Sequence, residues 1–77
     1  MAIYVRGDFM DYTAMGKKIR RKRREMDITQ AQLAELAGIS TAFVGHIERG
    51  TRVLSVETLC RICKALGVSA DDLLGIE

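Results

Sequence analysis

Cys60 and Cys63 stand three residues apart, the spacing of a redox pair or of half a zinc site. A redox pair works at a helix N-terminus, usually after a strand, whereas these two fall mid-helix with no strand before them. A tetrahedral zinc site needs two further ligands, and the chain offers one histidine, His46. No nucleophile–base pair can be assembled either. The expectation is therefore no enzyme, no metal and no cofactor. Both cysteines are expected on one helix face, packing as small residues in a reducing compartment. The chemistry on offer is instead that of fixed charge. From Lys17 to Arg24, seven of eight residues are Lys or Arg, and only Ile19 interrupts them. One helix cannot bury so many cations, so most must face solvent or a polyanion. Against phosphates such a face supplies position and salt-dependent affinity without reading sequence. An anionic lipid surface is the alternative, but the segment lacks the bulky aromatic face that this would need.

A second constellation lies between Gln30 and Arg49. Two short helices, about 30–37 and 41–49, are joined by Gly38, Ile39 and Ser40. Leu33, Ala37, Ile39, Val44 and Ile47 fall where the pair would share a core, and the small Ala34 lets the helices approach. Together these features mark a helix-turn-helix unit. In its second helix Val44 and Ile47 point inward, with Phe43 at the margin. The opposite stripe carries Ala42, Gly45, His46 and Arg49, with Thr41 at the N-terminal end. Small side chains there let a helix sink into the major groove, where its N-terminal residues reach base edges. A thymine methyl would suit Thr41, Ala42 or Phe43. His46 is either a base or phosphate contact or an idle surface imidazole. Gly45 is either merely tolerated or, the reading favoured, lets the backbone lie close to DNA.

The elements that must position these residues are punctuated by caps. Thr29, Ser40, Ser55 and Ser69 each open a helix, and Gln32 completes a capping box with Thr29. Hydrophobic staples are expected between Ile28 and Leu33, Ile39 and Val44, Leu54 and Leu59, and Val68 and Leu73. Gly38, Gly50, Gly67 and Gly75 close helices. Ahead of them Tyr12, Met15, Ile19 and Met26 form the apolar stripe of a longer basic helix. Five helices are predicted, at about 11–26, 30–37, 41–49, 56–66 and 70–74.

The 77 residues make one domain with a modest core and no deep substrate cleft. Hydrophobic residues are 48% and charged residues 29%, and proline is absent, as expected for a helix-rich soluble protein. No apolar run is long enough to cross a bilayer and no signal peptide is evident, so a cytoplasmic location is expected. Net charge is +2, but residues 12–52 carry +5 and the remainder −3. That asymmetry suits a negative partner meeting one face. Residues 1–10 are set apart as an N-terminal extension, with 11–77 as the folded domain. Ala2 to Val5 are open to three readings: a disordered arm, an edge that pairs with another copy, or vector-derived residues, with Met10 as a possible native start. One short strand cannot make a sheet alone.

The stretches MGKKIRRKRREMDITQAQLAELAGIS, HIERG and VETLCRICKALGVSADDLL resemble the Cro/lambda-repressor-type helix-turn-helix domain, the XRE family, over about residues 15–75. The resemblance implies that Gln30 contacts phosphate and braces the recognition helix, and that Thr29 touches phosphate. It implies an ion pair between Arg23 and Glu48, base reading by Thr41, Ala42, Gly45 and His46, and backbone contacts from Arg49, Thr51 and Arg52. Asp27 stands where that family often has Gly, Leu54 where it often has Pro, and Cys63 where Ala is common.

The expected fold is all-α, a compact five-helix lambda-repressor-like domain. The expected function is a stand-alone, sequence-specific transcriptional regulator, a repressor by preference, from a bacterium or phage. It would bind double-stranded DNA as a homodimer through Leu74, Ile76 and Val53, with no membrane and no small-molecule substrate. The expected DNA-binding residues are Arg20, Arg23, Thr29, Gln30, Ser40, Thr41, Ala42, Phe43, Gly45, His46, Arg49, Thr51 and Arg52. The alternative is a protein-binding antitoxin or adaptor on the same fold.

Overall fold

Each helix of the protein begins at a side-chain cap. The computed structural model describes Tyr4–Val5, Asp8–Phe9 and residues 11–75. Strands β1 (Tyr4–Val5) and β2 (Asp8–Phe9) pair antiparallel. Helices follow as α1 (Tyr12–Glu25), α2 (Gln30–Ala37), α3 (Thr41–Arg49), α4 (Val56–Leu66) and α5 (Ala70–Leu74). Asp11, Thr29, Ser40, Ser55 and Ser69 each accept a hydrogen bond from the backbone N–H three residues on. That bond satisfies one of the donors every helix start leaves open. The capping box between Thr29 and Gln32 is formed, and Ser69 and Asp72 form a second. The stop before α2 is made without glycine: Asp27 takes φ 59°, and the Ile28 N–H reaches back to the Arg23 carbonyl. That pairing is the Schellman closure of a helix end.

The core is built from Met15 and Ile19 of α1, Leu33, Ala34 and Ala37 of α2, Val44 and Ile47 of α3, and Leu59, Ile62, Cys63 and Leu66 of α4. Leu54 and Leu73 complete it. The helices pack mainly as α1 on α3, α2 on α3 and α2 on α4, with α5 closing against α1 and α4. Among the described residues no helix is long and apolar enough to cross a membrane.

Three expectations change. Met26 is 38% exposed, because α1 ends at Glu25 and Met26 is its C-cap; the next inward place on the stripe after Ile19 belongs to Arg23. The cysteines do not share an environment: Cys63 is buried, and Cys60 is exposed. Residues three apart on a helix differ by about 60° in direction, and here the edge of the buried face runs between them. Burial pushes the Cys63 thiol up, reinforced by Cys60 and Asp72, which suits packing rather than reactivity. Finally, Tyr4–Val5 finds its partner in the same chain, four residues on at Asp8–Phe9. Ala2, Ile3, Met10 and Ile76, which also entered the expectations, lie outside the described residues.

Candidate nucleic-acid interface

The turn between α2 and α3 is set by Gly38, in the left-handed region at φ 70°, with the Ile39 N–H bonded to the Ala34 carbonyl. Ser40 then caps α3 by accepting from the Phe43 N–H at 3.0 Å. The orientation of α3 depends as much on α1. A Cβ on Gly16 would fall on the backbone carbonyl oxygens of Ile47 and Glu48, so the two helices cross backbone to backbone. A Cβ on Gly50, at φ 72°, would likewise meet the Thr13 backbone, 2.7 Å from its Cα. Both approaches were missed from sequence. The available signal was Gly16 itself, a glycine inside a helical pattern.

One buried polar cluster ties three helices together. Arg23 of α1 donates through Nε to Glu48 Oε2 at 2.6 Å and through Nη2 to Glu48 Oε1 at 3.1 Å. Its Nη1 donates to the Ile28 carbonyl at 2.9 Å. Gln30, the first residue of α2, donates through Nε2 to Glu48 Oε1 at 3.1 Å. The fork of Arg23 is thus used on a carboxylate and a carbonyl, the planar bidentate match that guanidinium favours. The hydrogen bond to Glu48 raises the Arg23 pKa against the effect of burial. Burial pushes the Glu48 carboxyl up, but the donors Arg23 and Gln30, with the nearby charge of Arg20, outweigh it and hold Glu48 below the usual carboxylate range. The ion pair implied by the resemblance is therefore present. The inclusion of Arg23 among DNA contacts is corrected: its Nε, Nη1 and Nη2 are engaged by Glu48 of α3 and by the Ile28 carbonyl ahead of α2, and it is buried.

The edge of α3 that faces away from the core is open at its N-terminal end. Thr41 and Ala42 are exposed, and Phe43 and His46 are half-buried. Ser40, Ala42, Phe43, His46 and Arg52 line one shallow concavity. Gly45 departs from expectation. It is not a bare strip of backbone, because the exposed side chain of Arg49 folds back along the helix and covers it. His46 Nδ1 lies 3.0 Å from Thr51 Oγ1 and 3.5 Å from Arg49 Nη2. Around this edge, Thr29 is exposed and Gln30 half-buried at the start of α2, and Arg52 is exposed in the loop after α3. The hydroxyls of Thr29 and Ser40 accept from backbone N–H groups, which leaves their protons free to donate outward. They sit at two helix N-termini, the positive ends that favour anions.

On α1, Lys17, Arg20, Arg21 and Arg24 border a second shallow surface depression together with Glu25. Spacings of three and four residues put the four cations on one stripe, away from Met15 and Ile19. Lys18 turns toward α5, reaching the Asp72 carbonyl at 3.4 Å. The structure therefore brings Ser40, Ala42, Phe43, His46 and Arg52 to one concavity, with Thr41 exposed next to them in the chain, and withholds Arg23 from it.

Comparison with known proteins agrees with this geometry. A family model described as helix-turn-helix matches residues 19–73. An uncharacterized HTH-type transcriptional regulator of Mycobacterium tuberculosis is 41% identical over 58 residues, covering 75% of this chain and 41% of the relative. The chain thus spans about two fifths of that relative's length. The control protein C.SmaI of Serratia marcescens is 34% identical over 67 residues, covering 86% of this chain and 80% of that protein. Among solved structures, the P22 c2 repressor in complex with a synthetic operator superposes with a TM-score of 0.77 at 35% identity, covering 82% of this chain and 96% of the other. With most of its length matched by the family model and the five-helix arrangement shared with the repressor, the chain belongs to the helix-turn-helix family of Cro and lambda-repressor (XRE) type.

Proposed function

We propose that the protein is a sequence-specific DNA-binding transcriptional regulator that acts by occupying an operator, as a repressor does. The observation that carries this reading is the free N-terminal edge of α3. Thr41 and Ala42 stand exposed there, flanked by outward-facing hydroxyls at the starts of α2 and α3. Groove floors are read by such small and polar side chains, and backbone phosphates by hydroxyls, helix N-termini and cations. The roles follow from placement. Thr41, Ala42, Phe43 and His46 meet base edges. Thr29, Gln30, Ser40, Arg49, Thr51 and Arg52 meet the sugar-phosphate backbone on either side, and Arg20 extends that contact along α1. Gly45 serves by seating Arg49. The protein works as a binding module and not as an enzyme, in the cytoplasm, with residues 1–10 as an appendage of the 11–77 domain.

Two copies bind together in this proposal, their α3 helices about one DNA turn apart on a pseudo-palindrome. Val53 and Val56 support such an interface, being 62% and 49% exposed although apolar, and Leu74 is half-buried at the end of α5.

The test is titration of a labelled random-sequence duplex at graded salt. A phosphate-contacting face must bind with an affinity that falls steeply as salt rises. Absence of binding at low salt would defeat the proposal and leave a protein-binding role for the same fold.

A further inference from the structure

The ring of His46 is met at Nδ1 by two groups, Arg49, which can only donate, and the Thr51 hydroxyl, which can donate or accept. Arg49 Nη2 lies 3.5 Å from Nδ1, and a guanidinium has five N–H groups and no acceptor. Thr51 Oγ1 lies 3.0 Å from Nδ1 and 3.2 Å from the His46 carbonyl oxygen, so its single proton has two possible destinations. The carbonyl does not need it. That oxygen already receives the backbone N–H of Thr51, at 3.0 Å, and a share of the Gly50 N–H, whose other acceptor is the Ile47 carbonyl. The hydroxyl proton can therefore turn from the carbonyl, at 3.2 Å, to Nδ1, at 3.0 Å, when Nδ1 carries a lone pair. The fixed positive charge of Arg49 acts in the same direction, since it favours a lone pair over an N–H on the nearer ring nitrogen. Gly45 gives Arg49 room here: a Cβ there would lie 3.1 Å from Arg49 Nη1 and would displace the guanidinium by a few tenths of an ångström.

We propose that Arg49 and Thr51 hold His46 in its Nε2–H tautomer, so that position 46 reads only a hydrogen-bond acceptor on a base edge. Nε2 has no partner among the described residues, and the ring borders the concavity shared with Ala42 and Phe43. In the major groove guanine presents two neighbouring acceptors, N7 and O6, while cytosine presents only the N4 amine donor. Guanine is the preferred base at this position and cytosine the excluded one. Which nitrogen carries the proton in a histidine is commonly set by what the other nitrogen meets, and here that partner is a positioning pair, Arg49 and Thr51. The inference rests on the proposed reading face of α3.

Two measurements test it. Long-range proton–nitrogen NMR of the free, histidine-labelled protein should show Nε2 protonated and Nδ1 bare. A dominant Nδ1–H form overturns the inference whatever the protein does with DNA. Selection from a pool of random duplexes should then give guanine over cytosine by roughly five- to tenfold at one position per half-site, the worth of about one hydrogen bond. Thr51→Val should lose that preference, and Thr51→Ser, which keeps the donor, should retain it. A uniform loss of affinity with the base preference intact in Thr51→Val overturns the inference, because a plain backbone contact would behave so. Wild-type protein that selects sequences but is indifferent at this position overturns the inference alone. Wild-type protein that enriches no sequence overturns the regulator reading and the base assignment together.

Discussion

Glu48 is the residue on which most of the local structure converges. Its side chain is 3% exposed and holds Arg23, itself 10% exposed, in a buried pair. Removing one member of such a pair leaves the other uncompensated, whereas removing both in favour of apolar side chains can be neutral. Glu48→Leu should therefore lower the unfolding free energy by about 3–5 kcal/mol. Arg23→Met combined with Glu48→Leu should recover most of it, both read from urea unfolding. The pH dependence has a definite sign. Because the folded-state pKa of Glu48 is depressed, its contribution is complete above the ordinary carboxylate value and disappears as pH falls through the folded value. Stability of the wild type should decline below about pH 4, and the double variant should show less of this acid decline. This part of the site was only partly legible in the sequence. Arg23 is one cation in a run of seven, and periodicity alone does not say which of them turns inward. The family resemblance supplied the pair. The seating of Arg49 over Gly45 could not be foreseen, since it depends on a side-chain direction that spacing does not encode.

At the level of elements, the boundaries were legible because each helix carries its own start and stop. Four Ser/Thr caps and four terminal glycines fall where the helices begin and end, and only α1 differs, by one residue at each end. What crosses what was not legible. Gly16 contributes no side chain to a pattern, yet α1 and α3 meet at its Cα. Gly16→Ala places two tendencies in opposition. Alanine gains about 1 kcal/mol in helix propensity. The new methyl meets backbone carbonyls of Ile47 and Glu48, which cannot move without shifting α3, and overpacking of this kind costs about 1–3 kcal/mol. The clash should prevail. The expected result is a lowered melting temperature together with altered backbone NMR shifts across α3. A melting temperature equal to or above that of the wild type would show that the crossing is looser than described.

Across the whole molecule, the uneven charge, the dimer and the N-terminal segment are the matters at issue. The basic body and acidic remainder were plain from composition. The pairing of Tyr4–Val5 with Asp8–Phe9 was not, because two-residue strands carry too little alternation to be recognised. Sedimentation of the protein with its selected operator should give two copies per duplex, the arrangement needed to present two α3 helices to two half-sites. One copy per duplex would contradict the dimer and leave Val53 and Val56 unexplained. In the proposed division of labour α3 reads bases, and α1 with the helix starts grips phosphate. The most direct test of that division compares affinities for the selected duplex and for a random one at a single salt concentration, in wild type, Thr41→Ala and Arg20→Ala. Thr41→Ala should reduce the ratio of the two affinities several-fold, on the order of the 1–3 kcal/mol carried by a base contact. Arg20→Ala should weaken both affinities alike and leave the ratio unchanged. A Thr41→Ala protein that binds both duplexes more weakly, with the ratio preserved, would contradict the assignment of α3 as the reading helix.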